Sequence, residues 1–308
     1  MKKVNNKLVY LAAIAYALII GLSSLFTKLS LDVAEPIDIL AHRFTVSFAA
    51  VSIPVLFKWV KVDYNRARIK KIIPLAIVYP MLYFGFQTFG LQYASSSEAG
   101  MLLATAPVFT LILATYFLKE KSTSLQKISV ILSVVGVIYI SIMKGSTLDI
   151  SNIKGIILLV LSALCMAVYS IMAKKLTEEF TAMELSFIII FLSFISFNAL
   201  AVGKHVINGT ISSYFTPFTN MNFIISILYL GVLSTLGTSL LKNYVLSNME
   251  ASKMSVFINL GAVISIVAGV VFLKENIYYY HIIGSILIIG GVLGTNFLGK
   301  KVSVQKTK

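Results

Sequence analysis

Apolar residues run through this chain in blocks of about 20, separated by short breaks rich in Lys, Gly, Pro and Asn. A block of that length crosses the hydrocarbon core of a bilayer as a helix. The pattern predicts ten spans, near residues 8–27, 39–57, 72–91, 99–118, 128–143, 155–173, 185–203, 223–241, 254–273 and 277–298. The fifth is short, and its helix is expected to begin near Leu125. The longest breaks, 58–71 and 204–222, are too short to hold a soluble domain.

An even number of spans puts both termini on one side. With these boundaries 20 of the 26 Lys+Arg fall on the terminus side, Lys242 and Lys253 among them, five fall on the other, and Arg43 lies inside a span. Cytoplasmic loops carry the basic excess in membrane proteins, so both termini are expected in the cytoplasm, with residues 301–308 as a basic cytoplasmic tail.

Composition agrees. Hydrophobic residues make up 58% of the 308 and charged residues 12%, about half the charged share of a soluble domain, and mean hydropathy is +0.90. The net charge of +14 is the basic loop bias and not a nucleic-acid footprint, so no nucleic-acid partner is expected. Cys165 is the single cysteine and the three His are scattered, which predicts no disulfide framework and no metal site. The first apolar block is full length and lacks a small-residue cleavage site, so no cleaved leader is expected.

The chain repeats itself. Leu-Lys-Glu occurs at 118–120 and again at 273–275, and at that offset of 155 Ile128 meets Ile283, Gly136-Val137 meets Gly291-Val292, and Ser97 meets Ser252. The first and sixth spans match at an offset of 146, where Ser24-x-x-x-Lys28 meets Ser170-x-x-x-Lys174. Two copies of five spans, residues 1–148 and 152–300, must have opposite orientations. The expected fold is therefore all-α and polytopic, ten transmembrane helices as two inverted five-helix repeats, a transporter signature with the substrate site at the repeat interface.

Leu91-x-Tyr93-Ala94-Ser95, Pro107-Val108-Phe109 and Phe117-Leu118-Lys119-Glu120 together resemble the fourth-span region of the EamA family in the drug/metabolite transporter superfamily. His42-Arg43-Phe44 and Gly21-x-Ser23-x-x-Phe26-x-Lys28 are similar to its second-span and first-span patterns. The chain departs from them at Ile20, where the family often has Trp, and at Ala262, where it often has Pro. The resemblance implies ten helices in two inverted repeats, and export or exchange of small metabolites such as amino acids and their derivatives.

Candidate site residues come from polarity inside the spans. Tyr79, Tyr83 and Gln87 are spaced i, i+4, i+8 on one helical face. Tyr16, Ser23 and Ser24 mark the first span, Tyr169 and Ser170 the sixth, Tyr229, Ser234 and Thr235 the eighth and Asn259 the ninth. A lipid-facing stripe is not this polar, so these residues are expected to line a central substrate cavity. Gln87 and Asn259 carry the most weight because their amides need partners. Pro80 and Pro107 fall mid-span, where each removes a helical hydrogen bond and marks a cavity wall or a packing kink.

Arg43 sits roughly 10 Å into its span at 1.5 Å per residue. It serves either an anionic partner in the cavity or a structural role, by reaching the outer interface or pairing with Glu98 or Asp38. Adjacent His42 points elsewhere and reads as a packing histidine. Glu98 opens the fourth span, where the helix dipole favours a carboxylate, and a gating role is the alternative. Glu120 and Glu275 read as helix ties, and Gly290, Gly291 and Gly294 as a close-packing stripe.

No span carries a mid-membrane Asp or Glu, so no carboxylate proton relay is visible. Gly294-x-x-x-x-Gly299-Lys300-Lys301 lacks the Ser/Thr of a phosphate loop and follows a span instead of a strand. Neither ATP nor any other cofactor is indicated. The sequence predicts a secondary transporter of small organic metabolites, an exporter of amino acids or related compounds by alternating access, in the plasma membrane. Its partners are a small-molecule substrate and the lipid bilayer, with monomer and homodimer both open. The alternative, an intramembrane enzyme acting on lipid-linked substrates, needs buried acidic or His pairs that the sequence lacks.

Overall fold

A computed structural model describes residues 6–57, 66–93, 99, 102–103, 105–120, 122–143, 153–273 and 278–297. Every regular element among them is helical. In order these are α1 (Asn6–Leu31), α2 (Pro36–Leu56), α3 (Arg66–Ala76), α4 (Tyr83–Tyr93), α5 (Ala106–Leu113), α6 (Ser124–Met143) and α7 (Ile153–Leu176). There follow α8 (Ala182–Ile207), α9 (Met221–Leu228), α10 (Thr238–Asn248), the short α11 (Ala251–Ser255), α12 (Phe257–Leu273) and α13 (Tyr279–Phe297).

Among the described residues, six helical stretches are long and apolar enough to cross a membrane: Asn6–Leu31, Pro36–Leu56, Arg68–Tyr93, Ile153–Leu176, Ala182–Ile207 and Met221–Asn248. Four shorter apolar helices, Ala106–Leu118, Ser124–Ile140, Ala251–Ser265 and Tyr279–Thr295, accompany them. Large apolar side chains on their outward faces stay uncovered, such as Leu11, Leu56, Tyr116, Ile142 and Ile286. That is the surface a bilayer covers.

Two of the long helices are interrupted. Between α3 and α4 a widened turn spans Ile77–Leu82 around Pro80, and Tyr79 leaves helical geometry altogether at φ −145° and ψ 123°. The Tyr79–Pro80 peptide is cis. Proline disfavours α geometry in the residue before it, which accounts for the break at Tyr79. Between α9 and α10 a nine-residue π-helical stretch runs Tyr229–Gly237 without any proline. Thr235 Oγ1 donates to the Leu230 carbonyl at 2.8 Å, five residues back, the register of a π turn.

Helices of the first half pack on those of the second. α6 lies along α13, α2 along α8, α1 against α12 and α10, and α4 and α5 against α7. The α6–α13 contact is backbone-close. A Cβ on Gly136 would sit 2.8 Å from the Gly284 carbonyl, and one on Gly291 would sit 2.5 Å from the Ser129 carbonyl. Gly291 therefore belongs to the close-packing stripe expected from sequence, whereas a Cβ on Gly290 would meet nothing within 4 Å.

Lysines at equivalent places in the two halves make equivalent bonds. Lys28 Nζ donates to the Leu91 carbonyl at 2.9 Å, near the end of α4. Lys174 Nζ donates to the Leu246 carbonyl at 2.6 Å, near the end of α10. The donors are 146 residues apart and the acceptors 155, the two offsets found in the sequence. Glu120 bridges the halves as well. Its carboxylate accepts from the backbone N–H of Ala251 at 2.9 Å and of Ser252 at 3.3 Å, and from the Ser252 hydroxyl at 2.6 Å. It thus ties down the start of α11, as a carboxylate at a helix N-terminus does. Glu275 lies outside the described residues.

Candidate substrate site

The buried polar residues meet where α1, α2, the α3–α4 break, α7, α8 and the α9–α10 break converge. Arg43, on α2, is 1% exposed. Its Nε donates to Thr235 Oγ1 at 2.6 Å and its Nη2 to Ser234 Oγ at 2.9 Å. The guanidinium carbon lies 3.9 Å over the Phe84 ring. Each hydroxyl that accepts from Arg43 donates onward, Thr235 to the Leu230 carbonyl at 2.8 Å and Ser234 to Ser23 Oγ at 2.8 Å. The π stretch thereby presents two oxygens to one guanidinium. Gly231 makes room for this, since a Cβ there would lie 2.7 Å from Val46 Cγ1 and 2.9 Å from the Arg43 carbonyl.

Arg43 neither reaches the outer interface nor pairs with Asp38. Asp38 is engaged elsewhere, with His205 Nε2 at 3.2 Å and Lys204 Nζ at 3.1 Å, and Lys204 also meets Glu35 at 2.8 Å. That cluster anchors the 208–220 connection. His205 Nδ1 reaches Thr210 Oγ1 at 2.8 Å, Tyr214 donates to Asn198 Oδ1 at 3.1 Å, and the Tyr214 carbonyl lies 3.0 Å from His42 Nε2. Burial pushes the Tyr214 hydroxyl up to about 12, and the charge of Asp38 adds to the shift. His42 packs among Tyr214, Phe218 and Phe223, the packing role its position suggests. Glu98, the other partner considered for Arg43 and a candidate gate, lies outside the described residues.

An aromatic group adjoins Arg43. Tyr79 stands 4.8 Å from Tyr83, 4.2 Å from Tyr169 and 5.4 Å from Phe84, ring centroid to centroid. Tyr79 and Tyr83 meet because the chain breaks between helices there, not through uninterrupted i, i+4 spacing. Tyr169 donates to Asn243 Oδ1 at 2.5 Å, Asn243 Nδ2 donates to Ser186 Oγ at 3.2 Å, and Ser186 and Ser239 hydroxyls are 2.8 Å apart. Tyr16 donates to Met166 Sδ at 3.9 Å. Gln87 is 2% exposed, and its Oε1 has no hydrogen-bond partner among the described residues.

In the middle of this group stands a residue that the sequence reading assigned to a loop. Lys242 is on α10, 1% exposed. Its Nζ is 2.8 Å from Met166 Sδ, 4.4 Å from the Tyr169 ring and 5.3 Å from the Tyr79 ring. The eighth span does not end at 241, because the helix continues through the polar stretch Lys242-Asn243-Tyr244 to Asn248. Lys242 and Asn243 are buried there, and Tyr244 is half-buried. A signal was present in the repeat: the offset of 155 that pairs Leu91 with Leu246 also pairs Gln87 with Lys242.

Other candidates make their hydrogen bonds outside this group. Asn259 donates from Nδ2 to Ser133 Oγ of α6 at 2.7 Å, which uses its amide to tie α12 to α6. Ser170 returns its hydroxyl to the Met166 carbonyl at 2.9 Å, the common habit of helical serines. Tyr229 donates to the Ile19 carbonyl at 2.7 Å and stacks on Phe26 at 4.1 Å. Pro107 is buried in the first turn of α5 instead of in mid-helix, where a missing N–H removes no helical bond. The side chain of Ser24 lies outside the described residues.

Known proteins share this architecture. The sequence profile of the EamA-like transporter family matches residues 7–142 and again residues 153–297. The uncharacterized transporter YcxC of Bacillus subtilis is 48% identical, covering 93% of this chain and 92% of its own. An uncharacterized transporter of Archaeoglobus fulgidus is 28% identical over 88% of this chain and 92% of its own. A chain of known crystal structure, 15% identical, superposes with a TM-score of 0.73 over 94% of this chain and 99% of its own, a likeness of fold.

Proposed function

The chain belongs to the EamA-like transporter family, a family of membrane transporters and not of enzymes, and on that footing we propose that it is a secondary exporter of small organic metabolites, amino acids or related compounds. Its substrate binds among Tyr79, Tyr83, Tyr169, Gln87, Arg43 and Ser23. Alternating access comes from rocking of two inverted five-helix repeats, residues 1–148 and 152–300, in the plasma membrane with both termini cytoplasmic.

The observation that carries this reading is the buried cluster itself. Two basic side chains, several tyrosines and a chain of hydroxyls converge from helices of both halves, buried in a protein that leaves many large apolar side chains exposed. Transporters bind substrate at such a midplane meeting of broken helices. Both breaks contribute, one through Tyr79 and one through Ser234 and Thr235. The matched lysine bonds at the two sequence offsets support the repeat. The basic excess on the terminus side, which survives the removal of Lys242 from the loops, supports the orientation.

Metabolite profiling of cells overexpressing the protein tests this, with Gln87→Ala at matched membrane expression as control. A small set of compounds should be enriched outside the cells, and the enrichment should be lost in the variant. Accumulation inside would reverse the direction of transport. No difference for any compound would contradict metabolite export.

A further inference from the structure

Lys242 is a buried lysine that meets no counterion among the described residues. An ammonium has three donors and no acceptor, and a thioether is a weak acceptor. Among the described residues, Met166 Sδ at 2.8 Å and the faces of Tyr169 and Tyr79 are what meets Nζ. Among the described residues no carboxylate lies within ion-pair distance of it. The sequence explains why: all twelve Asp and Glu fall at the ends of spans or between them. Arg43, the other buried cation, is likewise met by hydroxyls and a ring. The same aromatic group joins the two, because Tyr79 touches both Phe84, under Arg43, and the surroundings of Lys242.

A buried cation is costly unless an opposite charge and hydrogen bonds satisfy it. Helix α10 could have continued with an apolar residue at this position, and the surrounding tyrosine rings and Met166 would pack against one. We propose that Lys242 is the anchor for a carboxylate group of the transported molecule, so that the substrates of this site are small carboxylates with an apolar or aromatic body. The anion supplies the missing charge and accepts hydrogen bonds from the ammonium, while the rings of Tyr79 and Tyr169 enclose the body of the ligand beside it. This rests on the substrate site proposed above and adds the chemical group that the site selects.

Two readouts on purified protein separate the anchor from the transport reading. The first is thermal stabilisation in detergent by aromatic and aliphatic amino acids and simple monocarboxylates, each compared with its carboxamide. The second is counterflow of the same compounds in liposomes. Wild type should be stabilised by carboxylates at concentrations at least tenfold lower than their amides. Lys242→Met, which keeps length and packing, should lose that preference while remaining folded, and Lys242→Arg should retain part of it. Equal response to acids and amides in wild type would overturn the anchor, whether or not counterflow occurs. An undiminished acid preference in Lys242→Met would also overturn it. Counterflow of amides alone would overturn the anchor and leave the transporter intact, whereas carboxylate binding without counterflow of any compound would uphold the anchor and refute transport.

Discussion

Thr235 shows how closely the site is balanced at the level of single atoms. Its hydroxyl hydrogen goes to the Leu230 carbonyl, and its oxygen takes the Arg43 Nε proton at 2.6 Å. Valine has the same shape without the oxygen, so Thr235→Val leaves a buried guanidinium N–H unpaired. Hydrogen bonds to charged groups are worth about 1.5–3 kcal/mol, and the orphaned donor sets the sign. The expected result is a clear drop in melting temperature in detergent. Thr235→Ser, which keeps the oxygen, should melt close to wild type. At this scale the sequence was only partly legible. Tyr16, Tyr79, Tyr83, Gln87 and Tyr169 announced themselves as polar groups inside apolar blocks. Lys242 did not, because a lysine followed by Asn and Tyr at the edge of an apolar block reads as the start of a loop, and the pairing of Gln87 with Lys242 in the repeat was the one signal against that. The partners of Asn259 and Ser170 depend on which helix faces which, and residue type alone does not carry that.

At the scale of elements, length and apolarity marked where helices lie, six of them long enough to span among the described residues, but not all their ends, since the eighth span runs on past 241 to Asn248. Their interruptions were less visible. Pro80 marks one in the sequence, but the stretch Tyr229–Gly237 contains no proline and gives no warning of its π geometry. The glycine pattern foretold close packing without saying which glycines touch. Gly291 and Gly290 offer a direct contrast on one helix. Alanine at 291 would place its Cβ 2.5 Å from the Ser129 carbonyl and 2.6 Å from Ser133 Cβ, both on α6. Overpacking of this kind typically costs about 1–3 kcal/mol. Gly291→Ala should therefore lower the melting temperature and the yield of folded protein, whereas Gly290→Ala, with open space at its Cβ, should match or exceed wild type. Equal behaviour of the two variants would contradict the α6–α13 packing.

For the whole molecule, the proposed transport requires the buried cluster between the two halves to be a solvent-reachable substrate site and not an inert polar core. In the described conformation Ser234 and Ser23 are both 3% exposed, so a substrate site here would have to open by a change of state, as alternating access requires. Single cysteines at Ser23 and at Ser234, in a background where Cys165 is replaced by Ala, report on this. Cells and inside-out vesicles would be treated with a membrane-impermeant thiol reagent, and a cysteine in place of the lipid-facing Ile286 would serve as the control. Both site cysteines should be labelled, from one membrane face or from each in turn, with no labelling at 286. Site cysteines that stay unreactive from both faces in folded protein would contradict the proposed transport.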